Sequence, residues 1–213
     1  MNIIVITPPL VEPVTAAQAF VHLRLDSSDE PEQNPDYAAV LAQITSAREQ
    51  CEQITRRAFV QQTLRIVGPG DGSGRSWFWW GNTASARGVE LLRPPLISVA
   101  AVRYYDSSNT LQTVDPGAYF VTDDLVPQLH FADGFSAPCV YRRPDALQIE
   151  YVAGYAPVVT GADTDYRANI PESIKQAILI GVQLQYDELT PDKRKSLESA
   201  RDSLLSSYRI NTF

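Results

Sequence analysis

The sequence is poor in the residues that most often do chemistry. It has two cysteines, Cys51 and Cys139, two histidines, His22 and His130, and one methionine. That set cannot complete a zinc knuckle or a disulfide scaffold. Cys51 falls in a helical pattern and Cys139 in a proline-flanked loop, so both read as reduced, structurally passive thiols. No G-x-S-x-G or H-E-x-x-H motif occurs. Gly68 to Gly74 is glycine-rich, but Arg75-Ser76 follows where a phosphate loop needs Lys and Ser or Thr, so it reads as a hairpin tip. Asp71-Gly72-Ser73 and Asp163-Thr164-Asp165 have acidic spacing without the twelve-residue calcium loop and its terminal Glu. Neighbouring side chains such as Asp123 and Asp124 diverge in a strand or turn and are poor partners for acid/base work. The expectation is a chain with no catalytic residue, no cofactor and no metal.

Long apolar runs are also missing. None approaches the roughly 20 residues of a bilayer span. Met1 to Ile6 is apolar but short, lacks a basic flank and runs into Pro8-Pro9, unlike a secretory leader. A cytoplasm-like setting without a membrane partner is expected. Basic charge is in deficit: 18 Lys+Arg face 25 Asp+Glu, for a net charge of −7. This argues against a protein that wraps nucleic acid through a basic face, though not against DNA passing nearby.

What is present is an ordinary folded composition. The 213 residues are 44% apolar and 20% charged, enough for one domain or one core with a sizeable insertion. Thr15 caps a short helix from Ala16 to about Leu25, and Gln18 completes the spacing of a capping box. An acidic loop, Asp26 to Pro35, follows. From about Asp36 to Arg57 the residues Tyr37, Val40, Leu41, Ile44, Ala47, Cys51, Ile54 and Ala58 step by three and four. Such a single apolar stripe needs helical partners.

From Phe59 the period changes. Strand candidates recur at Val60 to Val67, Gly88 to Leu92, Ser98 to Tyr105, Tyr119 to Thr122, Gln128 to Phe131 and Leu147 to Val152, with turn residues between them. Helical patterning returns at Ile170-Pro171-Glu172, in a segment apolar on most sides, as for the centre of a bundle. Pro191 starts a last helix with Leu197, Ala200, Leu204 and Tyr208 on one face. The expected class is α+β: a four-helix-type bundle from the N- and C-terminal thirds with an inserted antiparallel β-rich lobe. The boundaries are 1–58 for the first helices, 59–168 for the lobe and 169–213 for the last helices and a tail. Acidic residues outnumber basic ones eight to four in 1–58 and eleven to eight in 59–168, and balance six to six in 169–213.

All three tryptophans lie in Trp77-Phe78-Trp79-Trp80. A strand packs alternate rings onto its sheet, which accounts for one pair and leaves the other outward. Exposed aromatic surface between glycine-rich turns marks these four as partner-interface candidates, with sugar stacking as another reading.

Several stretches occur in a specific order: Ile6-Thr7-Pro8-Pro9 through Glu12-Pro13-Val14-Thr15 and His22-Leu23-Arg24; Leu92-Arg93-Pro94-Pro95-Leu96 with Ser98-Val99, Val102 and Tyr104 to Asp106; Tyr151 to Tyr155; Ile170-Pro171-Glu172 with Ile174 to Ile178; and Ser207-Tyr208-Arg209. Together they resemble the head–tail connector (adaptor) proteins of long-tailed bacteriophages over nearly the whole chain. The hairpin Gly68 to Gly88 and the portion between Ala132 and Asp145 depart from that pattern.

The resemblance implies a structural protein of the virion neck, assembled in the host cytoplasm. Its subunits form a ring, usually a dodecamer, below the portal protein. The ring extends the DNA channel without sequence-specific binding and receives the stopper or tail-terminator protein. The family's C-terminal segment often docks into the portal, which makes Tyr208, Arg209, Ile210, Asn211, Thr212 and Phe213 the matching candidates. Arg209 to Phe213 would then be a peptide that orders on binding. A ring needs a heterologous, closing interface, and Gln43, Arg48, Glu49, Glu52 and Gln53, on the polar side of the second helix, are its candidates. The alternatives are a tail-completion or stopper protein of the neck, a module that grips a glycan or host surface through its tryptophans, and an uncharacterised hydrolase.

Overall fold

The computed structural model describes residues 2–25, 31–70, 72 and 88–211. The chain divides into two units, each built from two separate segments. One unit is Met1–Pro8 with Gln61–Gly154; the other is Pro9–Val60 with Tyr155–Phe213. Each unit's chain therefore interrupts the other's.

The second of these units carries the helices α1 (Ala16–Leu23), α2 (Tyr37–Thr55), α3 (Glu172–Tyr186) and α4 (Pro191–Leu205). The capping box forms as the sequence suggests. Thr15 Oγ1 accepts from the Gln18 N–H at 3.2 Å, and Gln18 Oε1 accepts from the Thr15 N–H at 2.8 Å. Both α1 and α2 end where an arginine turns left-handed, Arg24 at φ 57° and Arg56 at φ 58°. This stops each helix before the end of its apolar pattern.

The stripe of α2 buries Val40, Ile44, Ala47 and Cys51. Leu41, placed on that stripe by its spacing, is exposed instead. The buried face of α2 turns away from Leu41 to take in Arg48, Glu52 and Thr55. α3 packs against α1, α2 and α4. It buries Ile174, Ala177, Ile178, Leu179, Gly181, Val182 and Leu184, as expected of a central helix. Each large apolar side chain so buried stabilises the fold by roughly 1.5–3 kcal/mol. A Cβ on Gly181 would lie 3.0 Å from Ala47 Cβ, so glycine is what lets α2 and α3 approach this closely. α4 is the opposite case. Only Leu205 is buried in it, Leu197 and Leu204 are half-buried, and Ala200 is exposed.

The other unit carries β1 (Asn2–Thr7), β2 (Gln62–Gly68), β3 (Val89–Glu90), β4 (Leu96–Tyr105), β5 (Leu111–Thr113), β6 (Tyr119–Val121), β7 (Gln128–Phe131) and β8 (Leu147–Ala153). Five of them form one sheet in the order β1-β2-β8-β4-β5, and three form a second in the order β3-β7-β6. Every pairing is antiparallel. β2 alternates strictly between buried and half-buried residues, the period-two signature of a sheet with one covered face. β8 sits at the centre and buries Leu147, Gln148, Ile149, Tyr151 and Ala153. The buried Tyr151 hydroxyl donates to the Leu92 carbonyl at 2.6 Å. Burial pushes that phenol well above its ordinary range.

A last hairpin, β9 (Val158–Thr160) with β10 (Asp163–Asp165), belongs to the helical unit. Its flanks hold it there. The Tyr155 N–H donates to the Phe59 carbonyl, Asn169 Nδ2 to the Ala156 carbonyl, and Arg167 Nε to the Glu12 carbonyl at 2.7 Å.

Candidate interaction surfaces

The C-terminal segment is tied down further along its length than a free docking peptide would be. After α4 a turn of 3-10 helix, Ser206–Tyr208, brings Tyr208 against the bundle. The Tyr208 hydroxyl lies 2.9 Å from Ser173 Oγ on α3. Arg57 Nε donates to the Tyr208 carbonyl at 2.7 Å. The Ile210 N–H donates to the Thr55 carbonyl at 3.1 Å, one of the carbonyls that the end of α2 leaves open. Ile210 itself is 4% exposed. Tyr208 and Ile210 are therefore anchors within the chain's own fold, whereas Arg209 and Asn211 are exposed. Thr212 and Phe213 lie outside the described residues. Where the tail leaves the bundle, a groove of about 330 Å³ is lined by Gln53, Ile54, Arg56, Arg209, Ile210 and Asn211.

The five polar residues of α2 separate into two groups. Arg48 and Glu52 are buried, contrary to their placement on the polar side of the helix. Arg48 Nη1 meets Glu52 Oε2 at 2.9 Å, one helical turn away, and Arg48 Nε meets Glu12 Oε2 at 2.8 Å. Thr45 Oγ1 donates to Glu12 Oε1 at 2.9 Å, and the Phe59 N–H donates to Glu52 Oε1 at 2.8 Å. The segment carrying Glu12 brings the second carboxylate to Arg48, which is why this charge can sit inside. Burial opposes the Arg48 charge, but Glu52 and Glu12 outweigh it and hold the guanidinium above its ordinary value. These two residues serve the bundle rather than an outer face. Glu49 and Gln53 are exposed, and Gln43 is half-buried. The Gln43 side-chain oxygen has no partner among the described residues.

The run Trp77, Phe78, Trp79 and Trp80 lies outside the described residues. An aromatic pair not anticipated from sequence stands on the three-stranded sheet. Phe120 is exposed and stacks on His130, with centroids 5.4 Å apart and planes 13° from parallel. The two face each other across β6 and β7, a cross-strand register no single-strand pattern reveals. Cys51 is buried and its thiol is pushed up to about 12 by burial, while Cys139 is exposed. Among the described residues no group of three or more His, Cys, Asp or Glu could hold a metal ion. No described helix is long and apolar enough to cross a membrane.

The arrangement is that of an α+β protein whose described surface offers a tail root, a groove rimmed by Arg56 and Arg209, and exposed helix and strand edges. No protein-family model matches the sequence, and no curated protein matches it. Solved structures do match its fold. A chain in the neck of an empty gene transfer agent (GTA) particle, computed with C6 symmetry, has a TM-score of 0.71 at 16% identity. A chain in the virion of the native GTA particle gives 0.69 at 16% identity, and one in the native neck computed with C12 symmetry gives 0.63 at 17%. Each match covers 100% of this chain and 97% of the other.

Proposed function

We propose that this chain is a structural component of the neck of a phage-like particle, in the role of the head–tail connector (adaptor). Copies form a ring, a dodecamer, below the portal protein. The ring extends the DNA channel and receives the stopper or tail-terminator protein. The observation that carries the reading is the end-to-end match of the fold to chains in GTA neck structures, at 100% and 97% coverage. The order of sequence stretches resembling connector proteins supports it independently. The net charge of −7 suits a conduit. An acidic lumen repels phosphates over about a Debye length, roughly 8–10 Å in physiological salt, so the duplex slides without being held.

Portal docking falls to the tail. Tyr208 and Ile210 fix its root, and Arg209, Asn211, Thr212 and Phe213 provide the portal contact. Contact with the next neck protein is assigned, on sequence alone, to the aromatic run Trp77 to Trp80, and Gln43, Glu49 and Gln53 contribute to the ring contact.

Native mass spectrometry of the chain mixed with the portal ring of its particle tests this. A complex carrying twelve copies per portal is expected. Deleting Asn211–Phe213 should abolish binding without unfolding the bundle, because Ile210 stays in place. Failure of the intact, folded chain to bind portal, together with binding to a preformed portal–adaptor neck, would replace the adaptor reading with the stopper one. Quenching of tryptophan fluorescence by glycans, with no portal binding, would replace both with the surface-binding module.

A further inference from the structure

Among the described residues the five-stranded sheet ends in two edge strands, and neither carries a charged side chain. Among the described residues, β1 pairs only with β2, and β5 only with β4. Neither Asn2–Thr7 nor Leu111–Thr113 contains a charged residue. Side chains along both edges are exposed and partly apolar, Ile4 at 45%, Val5 at 46% and Leu111 at 45%. Proteins that stay single guard such edges with lysine, proline or a bulge, because a bare edge pairs with any strand presented to it. Here a bulge between Val5 and Thr7, followed by Pro8-Pro9, interrupts β1 only at its far end. The regular open stretch is Asn2–Val5, close in length to the three residues of β5.

From these two edges we infer that the sheet is continued between copies of this chain, β5 of one subunit pairing with β1 of the next. The partner is thus a second copy, and the contact is heterologous: two different surfaces meet, as closure into a ring demands. The strand directions agree. All four junctions in β1-β2-β8-β4-β5 are antiparallel, so the first and fifth strands run the same way. A rotation that carries one copy's β5 beside the next copy's β1 keeps both directions and makes a parallel ladder. A two-fold contact of β1 with β1 would be antiparallel and would stop at a dimer. A joint only as long as β5 is weak alone and suits a ring in which all joints close together. This inference rests on the ring reading above and adds a second contact between neighbouring copies to the one given to α2.

Cross-linking tests it. In a Cys139→Ser background, which leaves only the buried Cys51, cysteines are placed as Ile4→Cys and Gln112→Cys, singly and together. Neighbouring strands stand about 4.8 Å apart, within reach of a disulfide, and a short bis-maleimide covers small register offsets. The expected result is a ladder of covalent oligomers well beyond the dimer from the double variant, and no ladder from either single variant. Dimers from Ile4→Cys alone would overturn the proposal in favour of a two-fold contact. An assembly with many copies per portal that yields no ladder would overturn the edge pairing and leave the neck reading standing. A folded chain that stays single, alone and on the portal, would overturn both. As a second readout, Val5→Lys and Leu111→Lys place charge on the two exposed edges. Each should shift the native mass spectrum toward the single chain while the far-ultraviolet circular dichroism is unchanged. An unshifted oligomer distribution in both would again overturn the pairing.

Discussion

Each unit of the molecule holds a cluster of charges around one central group, and the two central groups are opposite in sign. In the helical unit a single guanidinium, Arg48, meets the carboxylates of Glu12 at 2.8 Å and Glu52 at 2.9 Å and, at the rim, Glu49 at 3.5 Å. In the sheet unit a single carboxylate, Glu150, lies between Arg65 at 2.8 Å and Arg103 at 3.1 Å. The distances are alike, but the surroundings differ. The Arg48 and Glu52 side chains are 7% and 3% exposed, whereas Arg65 and Arg103 are 29% and 32% exposed. Water screens the second cluster; in the first it reaches Glu12 and Glu49 but hardly the Arg48–Glu52 pair. An ion cluster on a half-open sheet contributes little, whereas removing the central charge of a cluster in a core leaves its buried partner uncompensated.

The sharpest way to break the comparison is Arg48→Met, which leaves the buried Glu52 carboxylate, and the partly exposed Glu12, without their countercharge. Urea unfolding should show a loss of roughly 3–5 kcal/mol, the usual cost of removing one partner of a buried pair. Gly181→Ala asks how much of that unit's stability is packing instead of charge. Its new methyl meets Ala47, and overpacking of about 1–3 kcal/mol works against the roughly 0.5–1 kcal/mol that alanine gains over glycine inside a helix, so a net loss of at most about 2 kcal/mol is expected, measured in the same way.

Glu150→Gln is the counterpart in the sheet unit and should cost about 1 kcal/mol or less at neutral pH. Its signature is in the pH dependence. The hydrogen bond from Arg65, helped by the Arg103 charge and opposed by partial burial, holds the Glu150 carboxyl below its ordinary value of 4.5. A carboxylate so depressed stabilises the fold fully above 4.5 and loses that contribution as pH falls through the lowered value. The unfolding midpoint measured from pH 6 downward should fall less steeply in the Gln variant. The smallest effect is that of salt. At about 1 M NaCl the Debye length shrinks to roughly 3 Å, so the Glu150→Gln difference should diminish while that of Arg48→Met persists.

Local signals in the sequence were dependable where one element settles its own state. The capping box at Thr15 and Gln18 and the central character of α3 need no distant partner to be read. β7 falls on Gln128–Phe131, as its alternation suggests. What could not be read depends on contacts far apart in the chain. The burial of Arg48 and Glu52 requires Glu12, 36 residues before Arg48, to cross α2, and no helical periodicity contains that. The spacing of Arg48 and Glu52 by one turn was the available clue, and it fits a solvated pair equally well. β1 is not among the strand candidates read from the sequence, because the partner that makes it a strand, β2, lies beyond both first helices. The burial of Ile210 depends on the open Thr55 carbonyl left where Arg56 turns left-handed. A tail that the resemblance marks as a docking peptide is thereby fastened as far as Ile210.

The interleaving of the two units has a consequence for how the chain finds its structure. Pro9–Val60, which carries α1 and α2, is a loop hung between β1 and β2 of the sheet unit, and Gln61–Gly154 is a loop hung between α2 and α3 of the helical unit. Closing a loop costs entropy that grows slowly with its length. In the sheet unit β2 and β8 are neighbours, with Gln62 opposite Ala153, and just outside them Val60 bridges to Tyr155. Once β2 and β8 zip together, the ends of the long loop are already side by side, and α2 and α3 meet without a further search. The strand pair in the middle of the chain thus acts as a clasp: it meets the cost of closure once, on behalf of both units.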